Sequence, residues 1–72
     1  MGDKLDKKVI VEIAERIKAV RLKKSLLQTD VAKKAGLNSN FYAKVERGEA
    51  KPSGVTLTKI IKALGVRSSD IL

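Results

Sequence analysis

The strongest constraint on this fold lies in residues 28–48, which read QTDVAKKAGLNSNFYAKVERG. The apolar residues of this segment recur at the three- and four-residue spacing of two short helices, and Gly36 stands between them. A left-handed backbone at that glycine would end the first helix, and it would cost a residue with a Cβ about 1–2 kcal/mol. The segment therefore predicts two short helices joined by a tight turn.

The second helix of this pair, predicted over residues 39–47, has a narrow apolar side and a polar outer face. At about 100° per residue, Asn38, Tyr42 and Val45 fall together on one side, with Phe41 at its edge. The residues that point the opposite way are small, polar or basic: Asn40, Ala43, Lys44 and Arg47. Such a face, kept away from the core, is typical of a helix that is presented to a partner.

The composition excludes several classes of protein and favours a polyanionic partner. The 72 residues suffice for one small domain, and they include no cysteine and no histidine. We therefore expect no disulfide, no metal site, no cofactor and no histidine acid–base catalyst. No apolar run is long enough to span a membrane, and we expect a cytoplasmic protein. The net charge of +8 favours nucleic acid as partner, ahead of an anionic membrane.

A longer amphipathic helix is predicted ahead of the pair. Isoleucine and valine recur at helical spacing before Lys24, near which the helix is expected to end. Asp6 is the predicted N-terminal cap, which leaves residues 1–5 as a tail. The chain is accordingly divided into a tail and helix start at 1–8 and one domain over 9–72.

Two further helical segments are predicted after the pair. A fourth helix follows a loop over residues 49–54, which contains proline, serine and glycine. Residues 68–70 then begin one last turn that carries Ile71 and Leu72. Together with Val66, these two residues would expose apolar surface in a monomer, which predicts a homodimer.

The polar face of helix 3 of the domain, the second helix of the pair, carries groups that suit the edges of bases. The side-chain amide of Asn40 can pair with N6 and N7 of adenine, and the ammonium group of Lys44 can donate to guanine. Gln28 stands at the start of helix 2 of the domain, the first helix of the pair, where its amide and the free N–H groups can hold a phosphate. The alternative is an ordinary surface helix with a capping asparagine and a solvated lysine.

A larger set of positions matches a known pattern: Gln28, Val31, Ala32, Ala35, Gly36, Leu37, Tyr42, Val45, Glu46, Arg47 and Gly48. On these residues the chain resembles the phage repressor and Cro family of helix-turn-helix proteins, also called XRE-type, over about residues 13–72. The resemblance implies an all-α, compact five-helix bundle like the DNA-binding domain of lambda repressor. Helices 2 and 3 would form the helix-turn-helix, over residues 28–47.

The same resemblance implies roles for individual polar residues. It places Ser39, Asn40 and Lys44 at base edges in the major groove. It places five residues on the DNA backbone: Gln28, Asn38, Arg47, Lys51 and Ser53. It also implies a semi-buried structural ion pair between Arg21 and Glu46.

Three residues depart from the family pattern. Leu27 replaces the usual small polar cap of the second helix, although Thr29 is an alternative cap one residue later. Tyr42 replaces an aliphatic core residue, so its hydroxyl must reach water, a partner or the DNA backbone. Phe41 is expected to pack at the edge of the core rather than to touch a thymine methyl group.

The sequence thus predicts a sequence-specific regulator that binds double-stranded DNA as a homodimer on a palindromic operator. It would act as a repressor or a controller, associated with the nucleoid when it is bound to DNA. We find no paired acidic site with a catalytic role, and we expect no enzyme, no small-molecule ligand and no membrane partner. The alternative is an antitoxin or another protein-interaction module whose DNA binding is secondary, which capture of a stable protein partner would favour.

Overall fold

This computed structural model describes residues 3–72 of the chain, with side chains described from residue 6 onward. These residues contain four α-helices and one short 3-10 turn, joined by loops. The helices are α1 (Asp3–Lys23), α2 (Gln28–Ala35), α3 (Ser39–Glu46) and α4 (Gly54–Leu64). Residues 3–72 contain no β-strand, so the all-α prediction is confirmed for them. Within the same residues, no helix combines the length and the apolar character needed to cross a membrane.

α1 begins earlier than the sequence predicted. Its first residue is Asp3, so Asp6 lies inside the helix rather than at its cap, and the expected tail over 1–5 is helical from residue 3. Acidic residues suit any position in the first turn, because the free N–H groups carry a partial positive charge there. Asp6 therefore signalled the helix start without fixing its exact residue. Residues 1 and 2 lie outside the described part of the chain.

The turn between α2 and α3 has the geometry that the sequence predicted. Gly36 has a φ of +69°, in the left-handed region that favours glycine. The N–H of Leu37 donates to the carbonyl oxygen of Ala32 over 2.8 Å, so a carbonyl at the end of α2 is satisfied within the turn. The angle between the two helices is therefore set by a hydrogen-bonded turn of three residues.

α3 is capped at both ends by residues outside it. Oδ1 of Asn38 accepts the backbone N–H groups of Asn40 and Phe41, over 2.8 and 3.1 Å. Arg47 is the C-terminal cap, so the helix ends one residue earlier than predicted, and Gly48 follows with a φ of +73°. Asn38 is exposed, which corrects its placement on the buried side, because the cap turns its side chain back over the helix start.

α2 starts without a capping side chain. Leu27 occupies the cap position, and its apolar side chain is 65% exposed. The carboxylate of Asp30 accepts the N–H of Leu27 over 2.9 Å, which supplies the reciprocal half of a capping box. The alternative cap at Thr29 is wrong, since α2 already includes this residue.

The predicted fifth helix is only a single 3-10 turn, Ser68–Asp70. The N–H of Ile71 donates to the carbonyl oxygen of Ser68 over 3.0 Å and closes the turn. The backbone of Ile71 then leaves helical geometry, with a φ of −112°, so no regular helix propagates. The described residues thus form a four-helix domain, and the prediction of five helices is wrong.

The core lies where all four helices meet. α2 packs against both α3 and α4, and α1 packs against α3. The largest fully buried side chains come from every helix and from the end of the chain: Ile17, Val31, Tyr42, Val45, Ile60, Leu64 and Ile71. Burying one Ile, Leu or Val in this way contributes about 1.5–3 kcal/mol before entropy is counted. The apolar residues whose helical spacing indicated α2 are buried in this core, namely Val31, Ala32 and Ala35.

The C-terminal residues expose less apolar surface than the sequence predicted. Ile71 is fully buried within its own chain, because the 3-10 turn folds it over the core. Val66 is half-buried against the same core, and Leu72 is 58% exposed. The expected apolar cluster is therefore reduced to Leu72 and part of Val66.

Candidate nucleic-acid interface

The outer face of α3 is exposed and carries no negative charge. Ser39, Asn40 and Lys44 are all exposed, whereas Tyr42 and Val45 are buried on the opposite side. This separation follows from the 3.6-residue period of the helix. Asn40 and Lys44, four residues apart, therefore lie on one accessible face, and Ser39 is exposed in the first turn of α3. Together the three residues offer an amide, an ammonium and a hydroxyl group.

The backbone-contact candidates lie at the two ends of α3, in the loop after it and at the start of α2. They differ in how many of their polar atoms are already hydrogen-bonded within the protein. Lys51 is exposed in the loop after α3. Asn38 uses Oδ1 for the cap of α3, and its Nδ2 amide takes no part in that cap. Oγ of Ser53 accepts the N–H of Thr56 over 3.1 Å and donates to the hydroxyl of Thr56 over 3.0 Å, so it caps α4.

Arg47 pairs with a carboxylate that the sequence reasoning missed. Its Nε and Nη2 donate to Glu49 over 3.0 and 3.2 Å, and both side chains are about half exposed. The hydrogen bond from Arg47 lowers the pKa of the Glu49 carboxyl. The left-handed backbone at Gly48 brings these neighbours together. The order Arg-Gly-Glu in the sequence was the signal from which the pair could have been predicted. An exposed pair of this kind gives way readily to a stronger anion such as a phosphate.

Behind the outer face, the structure brings Arg21 and Glu46 into a buried ion pair. Nε and Nη2 of Arg21 donate to the two carboxylate oxygens of Glu46 over 2.7 and 3.1 Å. Nη1 of Arg21 also donates to the carbonyl oxygen of Leu26 over 2.7 Å. The pair therefore ties α1 both to α3 and to the loop before α2.

Two more donors converge on the same carboxylate. The hydroxyl of Tyr42 donates to Oε2 of Glu46 over 2.5 Å, and Nε2 of Gln28 donates to Oε1 over 3.1 Å. The Tyr42 link joins residues four apart on α3, a spacing from which it was predictable. The Gln28 link joins residues 18 apart in sequence and gave no local signal. Gln28 is thus held by the protein as well as being placed at the start of α2.

The pKa values show how this cluster stays ionised. Burial acts to raise the pKa of the Glu46 carboxyl, but hydrogen bonds from Arg21, Tyr42 and Gln28 outweigh it and hold the pKa below its ordinary value. The hydrogen bond to Glu46 raises the pKa of Arg21. Burial and the bond to Glu46 raise the pKa of the Tyr42 hydroxyl. At neutral pH Tyr42 is therefore a neutral donor and Glu46 a charged acceptor.

Known proteins share the sequence pattern of the segment that forms α2, the turn and α3. The sequence profile of the helix-turn-helix family matches residues 17–71. The chain belongs to the helix-turn-helix family. An immunity repressor protein of Bacillus phage phi105 is 38% identical to this helix-turn-helix chain over 60 residues, which are 83% of the chain and 42% of the phage protein. The chain therefore spans less than half the length of that repressor.

A second curated relative is an uncharacterized HTH-type transcriptional regulator of Sinorhizobium fredii. It is 30% identical over 53 residues, which cover 74% of this helix-turn-helix chain and 69% of the relative. The two relatives are thus named as a repressor and as a transcriptional regulator.

Solved structures of controller proteins superpose closely on this helix-turn-helix domain. The restriction-modification controller C.AhdI from Aeromonas hydrophila has a TM-score of 0.84 at 28% identity, covering 88% of this chain and 96% of its own. The controller C.Esp1396I, solved as a tetramer in complex with its natural 35-base-pair operator, has a TM-score of 0.81 at 28% identity, covering 85% and 80%. The fold of this domain is therefore one that such controllers also adopt.

Proposed function

We propose that this protein is a transcriptional regulator that binds specific sites on double-stranded DNA with α3 in the major groove. The observation that carries the proposal is the exposed face of Ser39, Asn40 and Lys44 on a helix held at a fixed angle by the Gly36 turn. The relatives support it, since they are named as a repressor, a transcriptional regulator and controllers, one of them in complex with its operator. These are the names of regulators rather than of enzymes.

The side chains of the outer face would read bases according to their donors and acceptors. The amide of Asn40 suits the N6 donor and N7 acceptor of adenine, and Lys44 suits the two acceptors of guanine. Ser39 can donate or accept beside them. Since Ala43 offers no polar group, part of the specificity would come from the shape of the DNA.

The surrounding residues would hold the domain on the phosphates. Lys51 and Arg47 supply positive charge beside α3, and Gln28 brings an amide to the start of α2. Asn38 would contact the backbone with the Nδ2 amide that its capping bond leaves free. Ser53 would do so by turning its hydroxyl hydrogen from Thr56 to a phosphate oxygen. Such contacts fix position and orientation without carrying sequence information.

A dimer on a two-fold symmetric operator completes the proposal. The small number of reading side chains per domain favours two half-sites, and the C.Esp1396I complex is a tetramer on its operator. Leu72 and Val66 are the described C-terminal residues that leave apolar surface for a second copy. The protein would act as a repressor or a controller, in the cytoplasm, where it meets DNA.

Selection of bound sites from random duplex DNA tests this function. We expect enrichment of one sequence with two-fold symmetry and half-sites about one helical turn apart. The matched control is the triple variant Ser39→Ala, Asn40→Ala, Lys44→Ala, which keeps the buried side of α3 and should no longer enrich the wild-type sequence. If the wild-type protein enriches no sequence, or if the triple variant enriches the same one, the proposed function is wrong.

A further inference from the structure

The hydroxyl of Tyr42 has no part in the function proposed above, although it lies in the core. Tyr42 has no exposed surface, and an aliphatic residue is what the family resemblance leads one to expect at this position. A buried hydroxyl costs free energy unless it finds a partner, so packing alone does not account for it. Its partner is Oε2 of Glu46, 2.5 Å away.

This bond completes the set of donors around Glu46. A carboxylate offers about four lone-pair sites, two on each oxygen. Oε1 accepts from Nη2 of Arg21 and from Gln28, and Oε2 accepts from Nε of Arg21 and from Tyr42. Donors on α1, α2 and α3 therefore fix the plane of the carboxylate, and the loss of the Tyr42 hydroxyl leaves Oε2 with a free site.

Gln28 is the member of this set that faces outward. It is half-buried and is the first residue of α2, where the backbone N–H groups have no partner within the helix. Its Nε2 carries two hydrogens, and the bond to Glu46 uses one. Because Glu46 accepts from nitrogen and not from the amide oxygen, the amide cannot flip, and the second N–H stays available beside the start of the helix.

We propose that Tyr42 is a positioning residue for phosphate binding, which acts by holding Glu46 so that Glu46 holds the amide of Gln28 toward the DNA backbone. The proposal rests on the DNA-binding function given above. It adds a chain of contact from the core to the phosphate, in which Tyr42 itself touches no DNA. The ligand is a phosphate of the DNA backbone, recognised by the second N–H of Gln28 and the free N–H groups of α2.

A double-mutant cycle on the selected DNA site tests this chain. Tyr42→Phe removes only the hydroxyl, and we expect it to weaken DNA binding about three- to tenfold, the effect of losing one ordered hydrogen bond. Gln28→Ala should weaken binding at least as much. The double variant should bind within about twofold of Gln28→Ala alone, because the hydroxyl then has nothing to position.

The matched control pairs the same substitution with a phosphate contact outside the cluster. Tyr42→Phe combined with Lys51→Ala should multiply the two single effects. Neither Tyr42 nor Gln28 carries charge at neutral pH, so their variants should leave the dependence of log affinity on log salt unchanged, whereas Lys51→Ala should flatten it. If Tyr42→Phe multiplies with Gln28→Ala just as it does with Lys51→Ala, its effect does not pass through Gln28 and is a general loss of structure, and the proposal is overturned.

A measurement on the free protein separates this inference from the proposed function. The side-chain amide of Gln28 should give a hydrogen-bonded NMR signal in the wild-type protein and should lose that character in Tyr42→Phe, with the backbone spectrum otherwise retained. Tyr42→Leu, which introduces an aliphatic residue, is the second variant should the first fold poorly, and it should show the same pattern. If the Gln28 amide signal is unchanged in Tyr42→Phe, the inference alone is overturned. The same holds if the wild-type protein binds its site and Tyr42→Phe binds that site with the same affinity. Failure of the wild-type protein to bind any site overturns the proposed function.

Discussion

Replacement of Arg21 by methionine tests what the buried cluster contributes to stability. Methionine keeps an unbranched apolar chain in the same space but removes two hydrogen bonds to Glu46 and one to the carbonyl oxygen of Leu26. The Glu46 side chain is only 1% exposed, so its charge would be left with two neutral donors. Breaking a buried pair in this way costs about 3–5 kcal/mol.

That loss is large against the whole stability of such a domain. At about 0.05–0.15 kcal/mol per residue, a chain of this size has about 4–11 kcal/mol in total. Arg21→Met should therefore unfold at much lower urea concentration, as followed by far-UV circular dichroism. Glu46→Leu should also destabilise clearly, and the double variant should lose less than the sum, because neither partner is then left charged and alone. The exposed pair of Arg47 and Glu49 is the control, and its disruption should change the midpoint far less.

Acid provides a second check on the same variant. The folded-state pKa of Glu46 lies below its ordinary value, so the pair contributes fully above the unfolded pKa, about 4.3, and is lost as the pH falls through the folded pKa. The difference in stability between the wild-type protein and Arg21→Met should therefore narrow at acidic pH, where Glu46 becomes neutral. Strict additivity of the two substitutions to within about 0.5 kcal/mol, or a difference independent of pH, would refute the reasoning.

Three further predictions concern the turn, the cap and the backbone contacts. Gly36→Ala should destabilise the fold by about 1–2 kcal/mol because φ at this residue is +69°, although the added Cβ would meet no atom within 4 Å. Gly54→Ala is the control, since its Cβ would also meet no atom but its φ is not positive, and it should not destabilise the fold. The urea midpoints of the two variants are compared. Asn38→Ala should cost about 0.5–2 kcal/mol in the same assay, since two N–H groups lose their acceptor; no change would mean that the cap is replaced by water. Lys51→Ala should flatten the plot of log affinity against log salt by about one unit without altering base preference; an altered preference would place Lys51 at a base rather than at a phosphate.

The features that the sequence predicted well are those with a local cause. The turn at Gly36 follows from backbone sterics at one residue, and the cap at Asn38 from a side chain that bonds two residues ahead. The inward residues of α2 and the outward polar face of α3 follow from helical periodicity. Each of these needs only a few neighbouring residues to be read correctly.

The features that the sequence did not predict depend on distant parts of the chain or on weak end effects. The bond from Gln28 to Glu46 appears only when α2 and α3 pack together. The sequence predicts that Ile71 contacts a second copy of the chain, but the geometry of a single 3-10 turn buries it in the core of its own chain. The start of α1 was displaced because Asp6 suits several positions in a first turn equally well.

The reading of bases by α3 is tested most directly with Asn40→Ala on every single-base variant of the selected DNA site. Asn40 is exposed and its side chain takes no part in capping α3, so the substitution should leave the fold intact. We expect the variant to lose about 1–3 kcal/mol of discrimination at one base pair of each half-site and to keep the wild-type preference elsewhere. If affinity instead falls by the same factor on all the sequences, α3 does not read bases through Asn40, and the account of this face is contradicted.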